Sequence, residues 1–160
     1  MKKILYILVI LLFSFSSAQT LKAGIVEEYI PDGFFGSWGV ISKLQNSNNL
    51  ELFNYESKDI WTLSGYNNIL ILENLESGAY SKIEISEKNQ DGKTLKFSRS
   101  KTVQEKTGKI IYKETVEFIL SGNNFSGKDN FIIEHYNQKN TLVKKDWANY
   151  KVSGVKISGN

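Results

Sequence analysis

The chain has 160 residues, 20 basic and 17 acidic side chains, one Pro and no Cys. That length suffices for one hydrophobic core without staples, and the absence of Cys excludes a disulfide framework and lipidation at a cysteine. Arg99 is the single Arg; nucleic-acid and phosphate sites favour the bidentate Arg fork, so such partners are disfavoured.

The first residues read as an export signal. Met1-Lys2-Lys3 is a charged start, Ile4 to Phe13 is an apolar run, and Ser14 to Ala18 are small apart from Phe15. The apolar core is about 12 residues, short of the roughly 20 that span a bilayer. Ser16 and Ala18 stand three and one residues before a cut at Gln19, and a second possible cut follows Ala23. Removing residues 1–18 takes away Lys2 and Lys3 and no acid, which leaves 18 bases against 17 acids. The remaining chain is nearly neutral and has no electrostatic attraction to nucleic acid or to anionic membranes.

Short runs rich in Ile, Val, Thr, Tyr and Phe follow, separated by clusters of Gly, Asn and Ser. This is the pattern of strands and turns. Eight strands are expected: 37–44, 50–55, 69–73, 79–87, 93–100, 109–120, 124–137 and 149–157. Residues 58–63 form a ninth short piece or extend the second strand through a bend. Asp91-Gly92 signals a two-residue hairpin. Residues 141–147 read as a short helix, and a bulge with a switch of faces is expected near Gly154.

Alternation sets the faces. Ser81, Ile83 and Ile85 oppose Lys82, Glu84 and Ser86; Leu95, Phe97 and Arg99 oppose Thr94, Lys96 and Ser98. In the sixth strand Val116, Phe118 and Leu120 share a face with Glu114. Sequential hairpins of similar length predict an all-β, up-and-down antiparallel barrel of about eight strands, since closure removes exposed edges. An outer-membrane barrel would show apolar-out alternation over a lipid band, whereas here both faces of several strands carry charge. A water-facing barrel is preferred. The expected organisation is a cleaved signal peptide (1–18), a lead-in segment (19–35) and one barrel domain (36–160).

At Gly36-Ser37-Trp38 the first barrel strand opens on a Gly-x-Trp, which resembles the motif opening the first strand of lipocalins. Strand order and lengths follow the same plan along the domain. The resemblance implies a calycin-type barrel that binds a small apolar ligand inside, with residues 25–35 closing the base and Trp38 packed there. In lipocalins an Arg or Lys of the last strand covers that Trp; here the last strand offers Lys151 or Lys156.

Candidate chemistry is sparse. His135 is the only His and follows Phe131 and Ile133 in alternation; one His without Cys makes no usual zinc site. Arg99 extends the apolar face of Leu95 and Phe97. It either enters the barrel, where its fork suits a ligand carboxylate, or snorkels at the rim or pairs with a protein acid such as Glu114. Trp38, Trp61 and Trp147 are most simply packing residues, although Trp61 follows a polar loop and could stack on a sugar or lipid. Glu114 and Glu117 face opposite sides of a strand and form no local acid pair. Asp32, Asp59, Asp129 and Asp146 read as lying in loop-like or mixed surroundings without a calcium-loop spacing. No phosphate-binding Gly-rich loop and no Gly-x-Ser-x-Gly elbow is present.

These readings converge on an exported protein, periplasmic or extracellular, that holds an apolar or amphipathic small molecule in a barrel. Ligand contacts are expected from Trp38, Trp61, Phe97, Arg99 and Phe118, with no catalytic group, metal or cofactor. The alternative is a non-catalytic envelope or surface interaction domain with no interior ligand. N-terminal sequencing of the exported protein is expected to begin at Gln19, or at Gly24 if the second cut is used; a chain starting at Met1 would remove the cleavage reading.

Overall fold

The computed structural model describes residues 29–158. The expected signal peptide and residues 19–28 of the lead-in lie outside the described residues. Eight strands follow one another: β1 (Gly36–Ser47), β2 (Glu56–Tyr66), β3 (Ile69–Asn74), β4 (Ala79–Glu84), β5 (Thr94–Glu105), β6 (Gly108–Ser121), β7 (Asn124–Asn137) and β8 (Leu142–Ser158). They form one antiparallel up-and-down sheet in the order β4-β3-β2-β1-β8-β7-β6-β5, curled into a nearly closed barrel. First and last strands pair, with Val40 opposite Gly154 and Ser42 opposite Val152. Among the described residues no ladder joins β4 to β5. This leaves a seam, which Arg99 bridges by donating from Nη1 to the Ser81 hydroxyl.

Several local expectations are corrected. Residues 50–55 are not a strand but the loop between β1 and β2. Leu50 and Leu52 are exposed there, and only Phe53 is buried, so one anchor residue imitates alternation. The second strand is β2, which contains residues 58–63. Residues 141–147 form no helix; most of them belong to β8, where Asp146 pairs with Ile133 and Trp147 with Ile132 of β7. Asp91-Gly92 makes no two-residue hairpin, because β4 and β5 do not pair. The Asp91 carboxylate instead accepts the backbone N–H groups of Lys93 and Thr94 and the Thr94 hydroxyl, and so caps the start of β5. No face switch occurs at Gly154. The register shift lies closer to the end of β8, where Ser37 and Trp38 oppose Ser158 and Lys156 and Ile157 is skipped. Asp59, Asp129 and Asp146, read as loop-like or mixed, sit inside β2, β7 and β8.

The lower half of the barrel is filled. Trp38, Phe34, Phe118 and Phe125 are fully buried there with Leu63, Leu70, Leu95 and Val152. Phe118 and Phe125 stack at 4.8 Å between ring centroids, and Trp38 meets Phe125 edge-on at 4.9 Å. Ile30 and Phe34 join this cluster from the segment before β1, where a short 3-10 turn at Asp32–Phe34 folds under the base. The Trp38 indole donates to the Phe34 carbonyl at 2.8 Å. Lys156 lies 5.5 Å above the Trp38 ring and reaches the Gly33 carbonyl at 3.3 Å. Burial of each large side chain stabilises by about 1.5–3 kcal/mol, so this plug is the main source of stability.

Two inward positions carry no side chain for steric reasons. A Cβ at Gly154 would sit 2.2 Å from the Phe125 ring, and one at Gly127 would sit 1.9 Å from the Glu117 carbonyl oxygen. The second clash is with backbone and cannot be relieved by a rotamer change. Gly127→Ala is therefore expected to lower stability by about 1–3 kcal/mol in urea denaturation, the usual cost of overpacking. An unchanged midpoint would mean that β6 and β7 do not approach in this register.

Candidate functional site

Above the aromatic plug the inward positions change character. Register places Ser42 of β1, Asp59 of β2, Arg99 of β5, Glu114 of β6, and Asp129 and Tyr150 of β7 and β8 on the inner face. These positions continue the apolar alternation of the strands, so a layer of polar groups stands where core would otherwise be. A second, smaller apolar cluster caps the layer: Leu44, Phe53, Ile133 and Ala148. The carboxyls are thus held between two apolar regions.

Arg99 and Glu114 are direct cross-strand partners, and Arg99 Nε donates to Glu114 Oε2. Asp129 lies one diagonal step away, since Val116 opposes Asp129 and Glu114 opposes Phe131. Its Oδ1 is fully buried and meets no hydrogen-bond partner. Burial pushes the Asp129 carboxyl up to about 8; repulsion from the Glu114 carboxylate and a hydrogen bond to it act in the same direction, while Arg99 opposes them. Asp129 therefore keeps its proton at neutral pH, where a second charge beside Glu114 would be poorly solvated. Burial, and then the nearby Asp129, also push Tyr150 above its ordinary value. Asp59 is oriented by the Asn74 amide at 3.0 Å.

A cleft of about 310 Å3 opens onto this layer between β1, β2 and the β6–β8 side. Its walls include Ser42, Phe53, Asp59, Trp61, Glu114, Asp129, Phe131 and Tyr150. Three carboxyls and four aromatic rings face the space and no basic side chain does. Glu114 and Phe131 also border a second cleft, of about 500 Å3, that opens at the seam and has Arg99 on its wall. Among the described residues no group of acids and His is arranged to hold a metal ion.

The structure separates the ligand contacts expected from sequence. Trp61 and Arg99 line the two clefts. Trp38, Phe97 and Phe118 all belong to the buried plug. Of the alternatives for Arg99, pairing with Glu114 is the one formed. His135 stands 3.9 Å from Asp146, which also holds Lys144 at 2.8 Å and the Asn49 amide at 3.1 Å; these groups sit at the far end of β7 and β8. Asp129, Phe131, Tyr150 and Phe53 were not legible as site residues. Inward alternation from Phe125 through Gly127 to Phe131 was the available signal for Asp129.

Comparison with known protein families, curated proteins and solved structures finds no match. The functional reading therefore rests on these residues.

Asp129 gives the fold a distinctive pH dependence. Unfolded, it titrates near its ordinary 3.8; folded, it keeps its proton to about 8. Between those values folding takes up a proton, so this group's contribution to stability is greatest below about pH 4 and falls as pH rises to about 8. Glu134 and Asp146 are held below their ordinary values, mainly by hydrogen bonds from Lys113 and Lys144, and lose their contribution only as pH falls through the acid range. Denaturation midpoints are expected to decline from pH 5 to 8, and Asp129→Asn is expected to flatten that decline. A decline of equal size in the variant would show that Asp129 is not its source.

Proposed function

We propose that the protein is an exported, lipocalin-like carrier that holds a small amphipathic molecule in the upper barrel. The carrying observation is the contrast between the two halves. An eight-stranded barrel is just wide enough either to fill with side chains or to hold one small ligand. Here the lower half is filled by aromatic rings, and the upper half leaves space beside polar groups. Pockets for small molecules combine apolar walls with a few convergent polar groups. Trp61, Phe53 and Phe131 supply the walls, and Ser42, Asp59, Glu114 and Asp129 supply the polar end.

Three further observations support the reading. The Gly36-Ser37-Trp38 opening is joined by a last-strand cation, Lys156, over the Trp38 ring, as the lipocalin resemblance implies. The outer face carries ion pairs such as Lys96–Glu117, Lys43–Glu56 and Lys113–Glu134, which suit water rather than lipid. Among the described residues no helix is long and apolar enough to cross a membrane. Export follows from the signal at residues 1–18. The reading assigns binding, not turnover, to the carboxyls. A non-catalytic interaction domain of the envelope is the second reading; the unpaired strand edges at the seam favour it.

Native mass spectrometry of protein isolated from its own host is expected to show one bound small molecule. A neutral amphipathic fluorophore, N-phenyl-1-naphthylamine, is expected to brighten on binding, and Trp61→Ala is expected to weaken it at least tenfold with the fold intact by circular dichroism. No retained molecule and no brightening would overturn the carrier reading and favour the second.

A further inference from the structure

The walls of the carrier cleft carry a negative charge that they do not neutralise. Of the three carboxyls there, Glu114 is matched by Arg99, whose Nε donates to it. Asp129 keeps its proton and adds no charge at neutral pH. Asp59 differs from both. The Asn74 amide donates to its Oδ1 at 3.0 Å, which orients the carboxylate without cancelling its charge. Among the described residues no Lys, Arg or His forms an ion pair with Asp59. Its neighbour Lys58 lies on the other face of β2 and pairs with Glu56. No basic side chain lines the cleft. One carboxylate therefore faces the space without a counter-charge.

The rest of the lining suits a cation. Asp59 and Trp61 are two residues apart on one face of β2, a spacing of about 7 Å along the strand. Trp61 rests on Phe118 of the plug, with 6.1 Å between ring centroids. Phe53 and Phe131 meet edge to face at 6.2 Å and so present rings in two orientations. The Tyr150 hydroxyl donates to the Asn54 carbonyl at 3.3 Å, which holds its ring at the cleft. The faces of aromatic rings attract cations, most strongly where water is partly excluded. Asp129 adds an independent sign. It borders the cleft, and its buried Oδ1 meets no donor from the protein. Buried acceptors in folded proteins are nearly always satisfied, and an ammonium group is a donor with no acceptor of its own. A carboxylate guest would meet Asp59 and Glu114 with no basic wall to receive it.

We infer that the carrier cleft selects a protonated amine on an apolar body, with Asp59 as its counter-charge and Trp61, Phe53 and Phe131 around it. This inference rests on the carrier reading and names the chemical class of its guest. Asp59 supplies the charge preference, the rings supply contact for both the cation and the apolar body, and Asp129 Oδ1 accepts a hydrogen bond from the guest. Glu114 stays with Arg99 and takes no part in the selection. The cleft, at about 310 Å3, holds a short-chain amine and not a large one.

The test uses the full chain, the naphthylamine as reporter, and three guests of one chain length: octylammonium, octanol and octanoate. Octylammonium is expected to displace the reporter at a concentration about tenfold below octanol, and octanoate at one about tenfold above it. Asp59→Asn is expected to bring octylammonium to the level of octanol. Lys58→Gln, on the outer face, is expected to leave the order of the three guests as it is. A second measurement needs no variant: raising salt from about 20 to 500 mM is expected to weaken octylammonium at least threefold and to leave octanol unaltered. Displacement by all three guests at one concentration, or a preference for octanoate, would overturn the amine assignment and leave the carrier reading standing. Salt-independent binding of octylammonium, or an undiminished preference in Asp59→Asn, would overturn Asp59 as the counter-charge. A reporter that never brightens, together with no heat from any guest in titration calorimetry, would overturn the carrier reading and this inference with it.

Discussion

Arg99 and Glu114 face each other across β5 and β6, and their ion pair lies where the barrel would otherwise continue its core. Arg99 itself reaches solvent at 38 % exposure while Glu114 is mostly covered, so the pair stands at the open edge of the inner face, where its net worth is modest and its role is to place charge and shape. Ser81 takes a second Arg99 donor, and Asp129 stays protonated so that only one negative charge needs balancing. Replacing this layer with apolar side chains would let the core run the length of the barrel. Keeping it interrupts the packing, creates the cleft at Trp61 and Phe131, and ties β5 across the seam to β4.

The aromatic plug makes that interruption affordable. Trp38, Phe34, Phe118 and Phe125 fill the lower interior, and the turn at Asp32–Phe34 seals it from below. Lys156 bonds the end of the last strand to that turn and lies over Trp38, which locks the closing pair β1–β8 at the base. The stable half and the open half are thus stacked along one axis. The division of labour is sequence-local: inward residues near the base are Trp, Phe, Leu and Val, and inward residues one or two steps further are Ser, Asp, Glu and Arg.

Much of the fold was legible because period-two alternation is a strong signal. Leu95, Phe97 and Arg99 were read on one face, and so were Glu114, Val116, Phe118 and Leu120; register confirms both. The failures share a cause. Where a loop buries a single anchor, as Phe53 does, a run of Leu and Phe looks like a strand. Where lysines and an acid precede Trp147, local composition suggests a helix, and only pairing with β7 decides otherwise. Asp91-Gly92 carries a hairpin signature, yet the Asp91 side chain satisfies the backbone of β5 itself. The site was less legible than the fold. The approach of Asp129 to Glu114 is a diagonal contact between strands, set by register, and no spacing along the chain encodes it.

The carrier cleft depends on a carboxyl, Asp129, that holds its proton inside the barrel. Carbon-13 NMR of the Asp129 side-chain carboxyl, followed through a pH titration of the folded protein, measures this directly. A midpoint near 8 is expected, displaced toward the ordinary acid range in Glu114→Gln, because the Glu114 carboxylate is one of the groups that raise it. A midpoint near 4 in the intact protein would mean that Asp129 is solvated and charged, and that the polar inner face of the upper barrel is open to water throughout.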